Sequence, residues 1–209
     1  NVISTLNLAR QAAAAGVRRL IFISSIGVNG GQTKGAAFSE LDRANPHTPY
    51  AISKYEAEQG LREISKQTGL EVVIIRPPLI YGPNAPGNFG VLVRAVANGW
   101  PLPLGAVENR RSLVGLDNLA DFVSTCLRHP LAANETFLVS DGEDISTSNL
   151  IRRLASLMKR PARLVPMPMW MLHMGSVVLG HGDAVQSLCS SLCVNIDKAR
   201  RILDWQPPL

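Results

Sequence analysis

The sequence predicts an α/β fold in which helices cover both faces of a doubly wound parallel sheet. Two apolar runs rich in β-branched residues, at residues 19–25 and 70–76, alternate with helical patterns at residues 2–15 and 51–67. Short continuous apolar runs suit strands that are buried on both faces, as in a parallel sheet. Because 46% of the 209 residues are hydrophobic and 18% are charged, the chain can bury a substantial core.

Local signals set the boundaries of these elements. The first helix ends where Gly16 interrupts the Ala and Leu spacing, and residues 26–49 form a polar loop rich in Gly, Asn and Pro. The second strand ends at Pro77. In a doubly wound sheet, ligands bind beyond the carboxyl ends of the strands. Ser25 and the loop after Ile80 are therefore expected at the ligand crevice.

The rest of the chain has a less regular pattern. The predicted elements are helices over residues 89–99, 117–128, 147–159 and 196–203 and strands over residues 112–115 and 135–139. The most apolar late stretch, residues 167–179, is shorter than the roughly 20 residues that a membrane-spanning helix needs. We therefore predict no membrane partner.

Tyr50 and Lys54 form a Tyr-x-x-x-Lys pair at the start of the second predicted helix, 25 residues after Ser25. On a helix, a residue and the fourth after it share one face, so the ammonium lies beside the phenol. A positive charge there favours the phenolate, which a general base acting on an alcohol needs. The pair alone is weak evidence, because a surface Tyr and Lys can have this spacing by chance. Its place between a strand that ends in serine and a second buried strand favours a catalytic role for the pair.

Charge and cysteine content exclude other classes of site. The net charge is +5, but the basic residues occur singly or in short groups and only 5% of residues are aromatic, so the pattern does not indicate nucleic-acid binding. A modest positive field suits an anionic small molecule. Cys126, Cys189 and Cys193 form no Cys-x-x-Cys, so we predict free thiols, no metal site and a reducing cytoplasm.

Several motifs occur together along nearly the whole chain. They are Ser24-Ser25 after the first strand, Pro49-Tyr50 with Ser53-Lys54 and Ala57-Glu58, Arg76-Pro77 through Tyr81-Gly82-Pro83, Arg111 shortly before Asp117, and Leu203-Asp204-Trp205-Gln206-Pro207. On these residues the chain resembles the extended short-chain dehydrogenase/reductases, the family of nucleotide-sugar epimerases and dehydratases, and within it the polysaccharide-biosynthesis subgroup.

The resemblance implies the second half of a Rossmann-like doubly wound parallel sheet and a small α/β substrate lobe. Residues 1–82 correspond to the C-terminal part of the NAD(P)-binding domain. Residues 83–209 correspond mainly to the substrate lobe, with some segments returning to the sheet. A glycine-rich phosphate-binding turn is absent from the sequence and is expected upstream. The choice between NAD and NADP would also be made upstream, and we expect this chain alone to be inactive.

The resemblance also implies roles for individual residues at the reacting centre. Tyr50 would exchange a proton with the sugar hydroxyl, Lys54 would support Tyr50 and hold the cofactor ribose, and Ser25 would orient the reacting oxygen. Ser24 is the neighbouring alternative to Ser25 and an expected cofactor contact. Asn1 would support the active site and Pro77 would face the nicotinamide, with a helix cap and a strand terminator as the respective alternatives.

The substrate residues implied by the resemblance are Asn88, Phe89 and Arg111, together with Ser25. Asn88 would meet the sugar diphosphate, with a helix cap as the alternative. Arg111 would bind pyrophosphate oxygens, for which a guanidinium fork is suited. Residues 164–199 contain no second arginine, so one diphosphate contact of the family has no counterpart there.

These features lead to one main hypothesis and two alternatives. The main hypothesis is an NAD(P)-dependent oxidoreductase that transfers hydride at C4 of a UDP-sugar, of the 4-keto-6-deoxy-N-acetylhexosamine reductase type, in surface-polysaccharide synthesis. Asn29 and Leu79 depart from the galactose epimerases, and Ser25 is not directly followed by the carboxylates that are common in sugar dehydratases, since the next one is Glu40. The alternatives are a UDP-sugar 4-epimerase with tightly bound NAD and a non-catalytic binding protein. The resemblance further implies a homodimer formed through residues 2–15 and 51–67.

Overall fold

The described part of the chain is built on two three-stranded sheets, as seen in a computed structural model of the protein. The structure describes residues 2–83, 85, 87–178 and 182–208. The strands are β1 (Arg19–Ile23), β2 (Glu71–Arg76), β3 (Leu79–Tyr81), β4 (Arg111–Gly115), β5 (Thr136–Leu138) and β6 (Asp144–Ile145). The helices are α1 (Val2–Ala14), α2 (Pro49–Thr68), α3 (Gly87–Ala97), α4 (Leu116–Arg128), α5 (Thr147–Leu157), α6 (Met169–Val178), α7 (Gly182–Cys189) and α8 (Asp197–Leu203).

The first sheet is parallel and has the order β1-β2-β5. Successive side chains of a strand face opposite sides of the sheet, so one apolar run supplies two cores. On β2, Val72 and Ile74 pack against α1 and α2, whereas Val73 and Ile75 pack against α4 and α8. The predicted α/β class with a parallel sheet is confirmed. β5 joins this sheet from the second half of the chain.

The first two helices are packed closely and α2 has clear end signals. A Cβ on Gly60 would lie 2.6 Å from Cδ2 of Leu6, so the Leu6 side chain packs directly on the Gly60 backbone where α1 meets α2. Thr48 caps α2 by accepting a 3.1 Å hydrogen bond from the Ala51 amide, and Pro49 occupies the first turn. The helix therefore begins at Pro49, two residues before the predicted start, and Tyr50 lies within its first turn.

The second sheet contains β3, β4 and β6. β3 pairs parallel with β4, and β4 pairs antiparallel with β6. Helices α3 and α5 and residues of α6 and α7 enclose an apolar core that includes Leu92, Val107 and Ile151. The predictions omitted β3, β6, α6 and α7. β3 and β6 have three and two residues, too few to show a period, and α6 is apolar around its circumference.

Two findings concern the predictions on membrane spans and on cysteines. None of the helices in the described residues has the length and apolar character required to cross a membrane. Cys126, Cys189 and Cys193 are all free thiols. Burial raises the pKa of the Cys126 thiol to about 12, which keeps it protonated and unreactive at neutral pH.

Candidate active site

Ser25 is placed by main-chain bonding beyond the end of β1. The Ser24 amide donates to the Ile75 carbonyl at 2.7 Å, and the Ile26 amide donates to the Pro77 carbonyl at 2.9 Å. Ser25 caps a short 3-10 turn, where its Oγ accepts a 3.1 Å hydrogen bond from the Gly27 amide. A hydroxyl can accept and donate at the same time. The Ser25 O–H proton can therefore still be offered to a ligand.

The 3-10 turn after Ser25 rests on the first turn of α2. A Cβ on Gly27 would lie 3.3 Å from the Cβ of Ala51, so the two backbones approach closely. Ala51 is the neighbour of Tyr50, whose side chain is 54% exposed. The fold therefore brings Ser25 and Tyr50 to the same edge of the parallel sheet, with Tyr50 accessible to a ligand.

Lys54 lies one turn after Tyr50 on α2. Its Nζ donates a 2.9 Å hydrogen bond to the carbonyl of Ile23, the last residue of β1. The same nitrogen lies 4.7 Å from the ring centroid of Phe22 and 5.8 Å from that of Tyr50. Burial lowers the pKa of Lys54 below 10.5, and the negative charge of Glu58 partly opposes this shift. The ammonium is thus held between the strand end and the Tyr50 ring.

Glu58, another turn along α2, is fully buried and forms an ion pair with Arg76. The guanidinium donates to both carboxylate oxygens, at 2.9 and 2.6 Å, and the Ser24 hydroxyl donates to Oε1 at 2.5 Å. Arg76 also donates to Oδ1 of Asn29 at 2.9 Å. Asn29 in turn donates to the Ser39 carbonyl at 2.9 Å. The sequence predictions assigned no role to this network, although the 50, 54, 58 spacing placed Glu58 on the active face.

Phe89 and Arg111 line a small apolar cavity between the second sheet and helices α3, α5 and α7. The cavity has a volume of about 60 Å³, and Leu79 also contributes to its wall. Phe89 is buried, with its ring centroid 5.8 Å from that of Tyr81. Arg111 Nη1 donates to the carbonyls of Ser187 and Ser190, the latter at 3.0 Å. Burial lowers the pKa of Arg111.

A larger cavity of about 1120 Å³ lies beside the start of α2. Residues 29–34 and 36–38 of the polar loop form one wall, Thr48 and Pro49 contribute where α2 begins, and Ser187 contributes from α7. Ser187 lines the small cavity as well. Both cavities are therefore bordered by α7. Since α7 was not predicted, the sequence did not indicate this shared border.

The site lacks the features of a metal centre within the part of the chain that the structure describes. No three His, Cys, Asp or Glu side chains are grouped there in a way that could hold a metal ion. The polar groups at the strand ends are instead a hydroxyl, a phenol and an ammonium.

Comparison with known proteins agrees with this arrangement. A model of the NAD dependent epimerase/dehydratase family matches residues 1–140, two thirds of the chain. The chain belongs to this family. The resemblance inferred from the sequence motifs is confirmed.

Two curated members of the epimerase/dehydratase family show how the chain relates to its relatives. It is 45% identical to a UDP-glucose 4-epimerase of Vibrio cholerae over 210 residues, covering 100% of the chain and 64% of that protein. It is 31% identical to the N-acetyl-alpha-D-glucosaminyl-diphospho-ditrans,octacis-undecaprenol 4-epimerase of Escherichia coli O157:H7, covering 82% of the chain and 53% of that protein. The chain thus spans about half to two thirds of the length of these relatives.

Solved structures of the family share the fold. The crystal structure of UDP-glucuronic acid 4-epimerase from Bacillus cereus in complex with NAD superposes with a TM-score of 0.80. The identity is 20%, and the match covers 100% of the chain and 62% of that structure. The Rossmann-like architecture expected from the motifs is therefore confirmed, while this low identity carries no argument about substrate.

The remaining predicted site residues of this family member have different placements. The Ser24 side chain is 3% exposed and its hydroxyl is bonded to Glu58, so a cofactor contact from Ser24 would use its main chain. Pro77 is buried directly after β2. Asn1 and the side chain of Asn88 lie outside the described residues. The roles predicted for these residues stay predictions.

Proposed function

We propose that the protein containing this chain is an NAD-dependent 4-epimerase of a UDP-sugar. The observation that carries the proposal is the arrangement of Ser25, Tyr50 and Lys54 at the carboxyl edge of the parallel sheet, where ligands of such folds bind. The relatives from Vibrio cholerae and Escherichia coli are both named as 4-epimerases, which supports this reaction. It was the second choice on sequence motifs alone.

The residues at this edge fit a dinucleotide. An ammonium has three protons, and among the described residues Lys54 donates to the carbonyl of Ile23, so further protons can bind ribose hydroxyls. Tyr50 is half exposed beside Lys54 and can contact the same ribose. When bound, NAD supplies an acceptor for the hydride of the sugar carbon and gives it back. The predicted alternative, NADP, would need recognition of a further phosphate.

The protein's own groups manage the proton of the reacting hydroxyl. Tyr50 removes the proton from the sugar O4 as the C4–H bond breaks, which yields a 4-keto sugar. Lys54 stabilises the phenolate by its positive charge. Ser25 donates a hydrogen bond to O4 and keeps it oriented. The keto sugar then rotates so that the opposite face of C4 receives the hydride. Tyr50 returns the proton to O4.

The two cavities supply surfaces for other parts of such a substrate. The guanidinium of Arg111 supplies positive charge for the diphosphate, and Phe89 and Leu79 add apolar surface beside it. The larger cavity, beside the start of α2, has the volume to accept a sugar. The predicted role of Asn88 at the diphosphate remains part of the proposal.

The reductase hypothesis is retained as the second candidate because it uses the same three residues. It differs in that hydride moves from a reduced cofactor to a 4-keto sugar and does not return. The two reactions are therefore distinguished by net change of the nicotinamide and not by the geometry of Ser25, Tyr50 and Lys54.

The test uses the full-length protein that contains this chain. UDP-glucose and UDP-N-acetylglucosamine are incubated separately with NAD present, and galacto products are followed by chromatography. We expect interconversion without net NADH, and a loss of about 10²–10⁴-fold in Tyr50→Phe, which removes the general base. Tyr55→Phe makes the same change on another face of α2 and is the matched control. Its activity should equal that of the unmodified protein.

Other outcomes would contradict the epimerase proposal. Stoichiometric oxidation of NADH or NADPH by a UDP-4-keto-6-deoxy-N-acetylhexosamine, without epimerisation, would establish the reductase. Equal activity of the Tyr50→Phe and Tyr55→Phe proteins would contradict the role of Tyr50 as general base. If the unmodified protein neither interconverts the sugar nucleotides nor oxidises a reduced nicotinamide, the non-catalytic binding protein remains.

We also propose a cytoplasmic homodimer in which α1 and α2 of each subunit meet. Ile3 and Leu8 of α1 are 76% and 59% exposed, and Ile52 of α2 is 41% exposed, so an apolar surface is available on these helices. Replacing both Ile3 and Leu8 by Glu should convert the dimer to a monomer in sedimentation velocity. A dimer that persists would exclude this interface.

A further inference from the structure

Two side chains of α2 bind two consecutive residues at the end of β1. Lys54 donates to the Ile23 carbonyl at 2.9 Å, and Glu58 accepts from the Ser24 hydroxyl at 2.5 Å. Lys54 and Glu58 are one helical turn apart and share one face of α2. A two-point attachment of this kind sets both the position and the rotation of the helix relative to the strand. Ser25 is the next residue along the chain.

Arg76 extends the attachment to a second strand and to the loop. It is the last residue of β2, and it binds both oxygens of Glu58 while donating to Asn29. Both members of the ion pair are buried, so solvent does not screen their interaction. Charge-assisted, bidentate hydrogen bonds impose a specific geometry. Glu58 therefore joins α2, the end of β1 and the end of β2 at one carboxylate.

We propose that Glu58 is a positioning residue, which sets the distance between Tyr50 on α2 and Ser25 after β1 through the Ser24 hydroxyl. This inference rests on the proposed function and deepens it. Glu58 contacts neither ligand nor reacting atoms. Its carboxylate fixes the position of the end of β1, next to Ser25, relative to α2, which carries Tyr50. A displacement of about 1 Å between catalytic groups can reduce a rate about 10²-fold.

The sharpest test breaks the link between Glu58 and β1 and leaves the ion pair with Arg76 intact. Ser24→Ala removes only the hydroxyl that donates to Glu58. Ser140→Ala is the matched control, because Ser140 is equally buried, at 2% against 3% exposure. Ser140 lies just after β5, which pairs with β2, and its hydroxyl accepts a hydrogen bond from the Gly142 amide at 3.2 Å. Both changes remove one hydroxyl oxygen.

In the full-length protein, we expect Ser24→Ala to lower kcat at least about tenfold, while KM for the sugar nucleotide stays within about twofold because no ligand contact is lost. Ser140→Ala should retain the unmodified kcat. Its melting temperature should fall less than that of Ser24→Ala, because only Ser24 donates to a buried carboxylate, so kcat is measured well below both melting temperatures. A purely structural role would change stability in both variants and would leave kcat alone. Equal kcat values in the two variants would overturn the proposal.

Amide hydrogen exchange supplies a readout that does not depend on turnover. The Ile26 amide donates to the Pro77 carbonyl, so its protection reports whether the Ser25 segment is held against β2. We expect faster exchange at Ile26 in Ser24→Ala and not in Ser140→Ala. If the unmodified protein turns over no sugar nucleotide, the proposed function fails, and Ile26 exchange then decides the positioning role alone. Unchanged exchange would overturn that role.

Discussion

The ammonium of Lys54 is hydrogen-bonded to the carbonyl oxygen of Ile23, at 2.9 Å, where β1 ends. The charge that supports Tyr50 is therefore attached to the strand as well as to its own helix. Since Ser25 follows two residues after Ile23, the proposed base, its positive neighbour and the proposed hydroxyl donor share one support. Catalytic groups carried on strand ends and helices are placed more accurately than groups on loops.

The activity of the full-length protein should decrease at alkaline pH with an apparent pKa below 10.5. Burial lowers the pKa of Lys54, so its proton is lost earlier than that of a free lysine and the phenolate of Tyr50 loses its positive neighbour. The measurement is kcat/KM as a function of pH. Lys66→Met is the control, because Lys66 lies exposed near the end of the same helix and its removal should not move the profile.

The lowered pKa of Lys54 also makes the free energy of unfolding depend on pH. Because the folded-state pKa of Lys54 lies below its unfolded value, the unfolded chain binds more protons between the two values. The contribution of Lys54 to the free energy of unfolding therefore rises with pH across that window. Lys54→Met should remove this rise in urea denaturation series. An identical pH dependence in the two proteins would contradict the assignment.

Glu58→Gln should destabilise the protein strongly because it leaves the buried guanidinium of Arg76 without its charged partner. Breaking a buried pair from one side costs about 3–5 kcal/mol in the free energy of unfolding. Glu143→Gln is the matched control. Glu143 and Arg153 form a bidentate pair with bonds of 2.6 and 3.0 Å, but both side chains are about 60% exposed.

Urea denaturation of the full-length protein distinguishes these two ion pairs. The midpoint should fall clearly for Glu58→Gln and should stay at the unmodified value for Glu143→Gln, because water screens the exposed pair. Equal midpoints for the two variants would show that the Glu58 pair is not buried in solution.

Trp205 should be a main contributor to the core on the α4 side of the parallel sheet. It is 4% exposed, its ring centroid lies 4.7 Å from that of Phe122, and its Nε1 donates to Asp121 at 2.8 Å. Trp205→Ala should therefore lower the free energy of unfolding by about 3–5 kcal/mol. Trp170 is 64% exposed, so Trp170→Ala should change it by less than about 0.5 kcal/mol. Similar values for the two variants in urea denaturation would contradict this packing.

The parts of the fold that could be predicted from the sequence are those with a long period or a local end signal. β2 was recognisable because Val72, Val73, Ile74 and Ile75 form a continuous β-branched apolar run. The existence of α2 was predicted, but its start was placed two residues late because the cap of Thr48 and Pro49 was not used. β3 and β6 were missed because they form only by pairing with β4, and two or three residues carry no period. α6 was missed because its outward face is apolar too, so no polar stripe marks a helix.

The sequence by itself determined those features of the candidate site that depend on residues close together in the chain. The four-residue spacing places Tyr50 and Lys54 on one face of α2, and Ser25 caps the turn that follows its own strand. Only the tertiary structure decided which side chains surround them. Glu58 meets Arg76 because β2 lies beside β1, and Arg111 meets the Ser187 carbonyl, 76 residues away, because α7 folds against β4. Helix geometry depends on neighbouring residues, whereas these contacts depend on how distant segments pack.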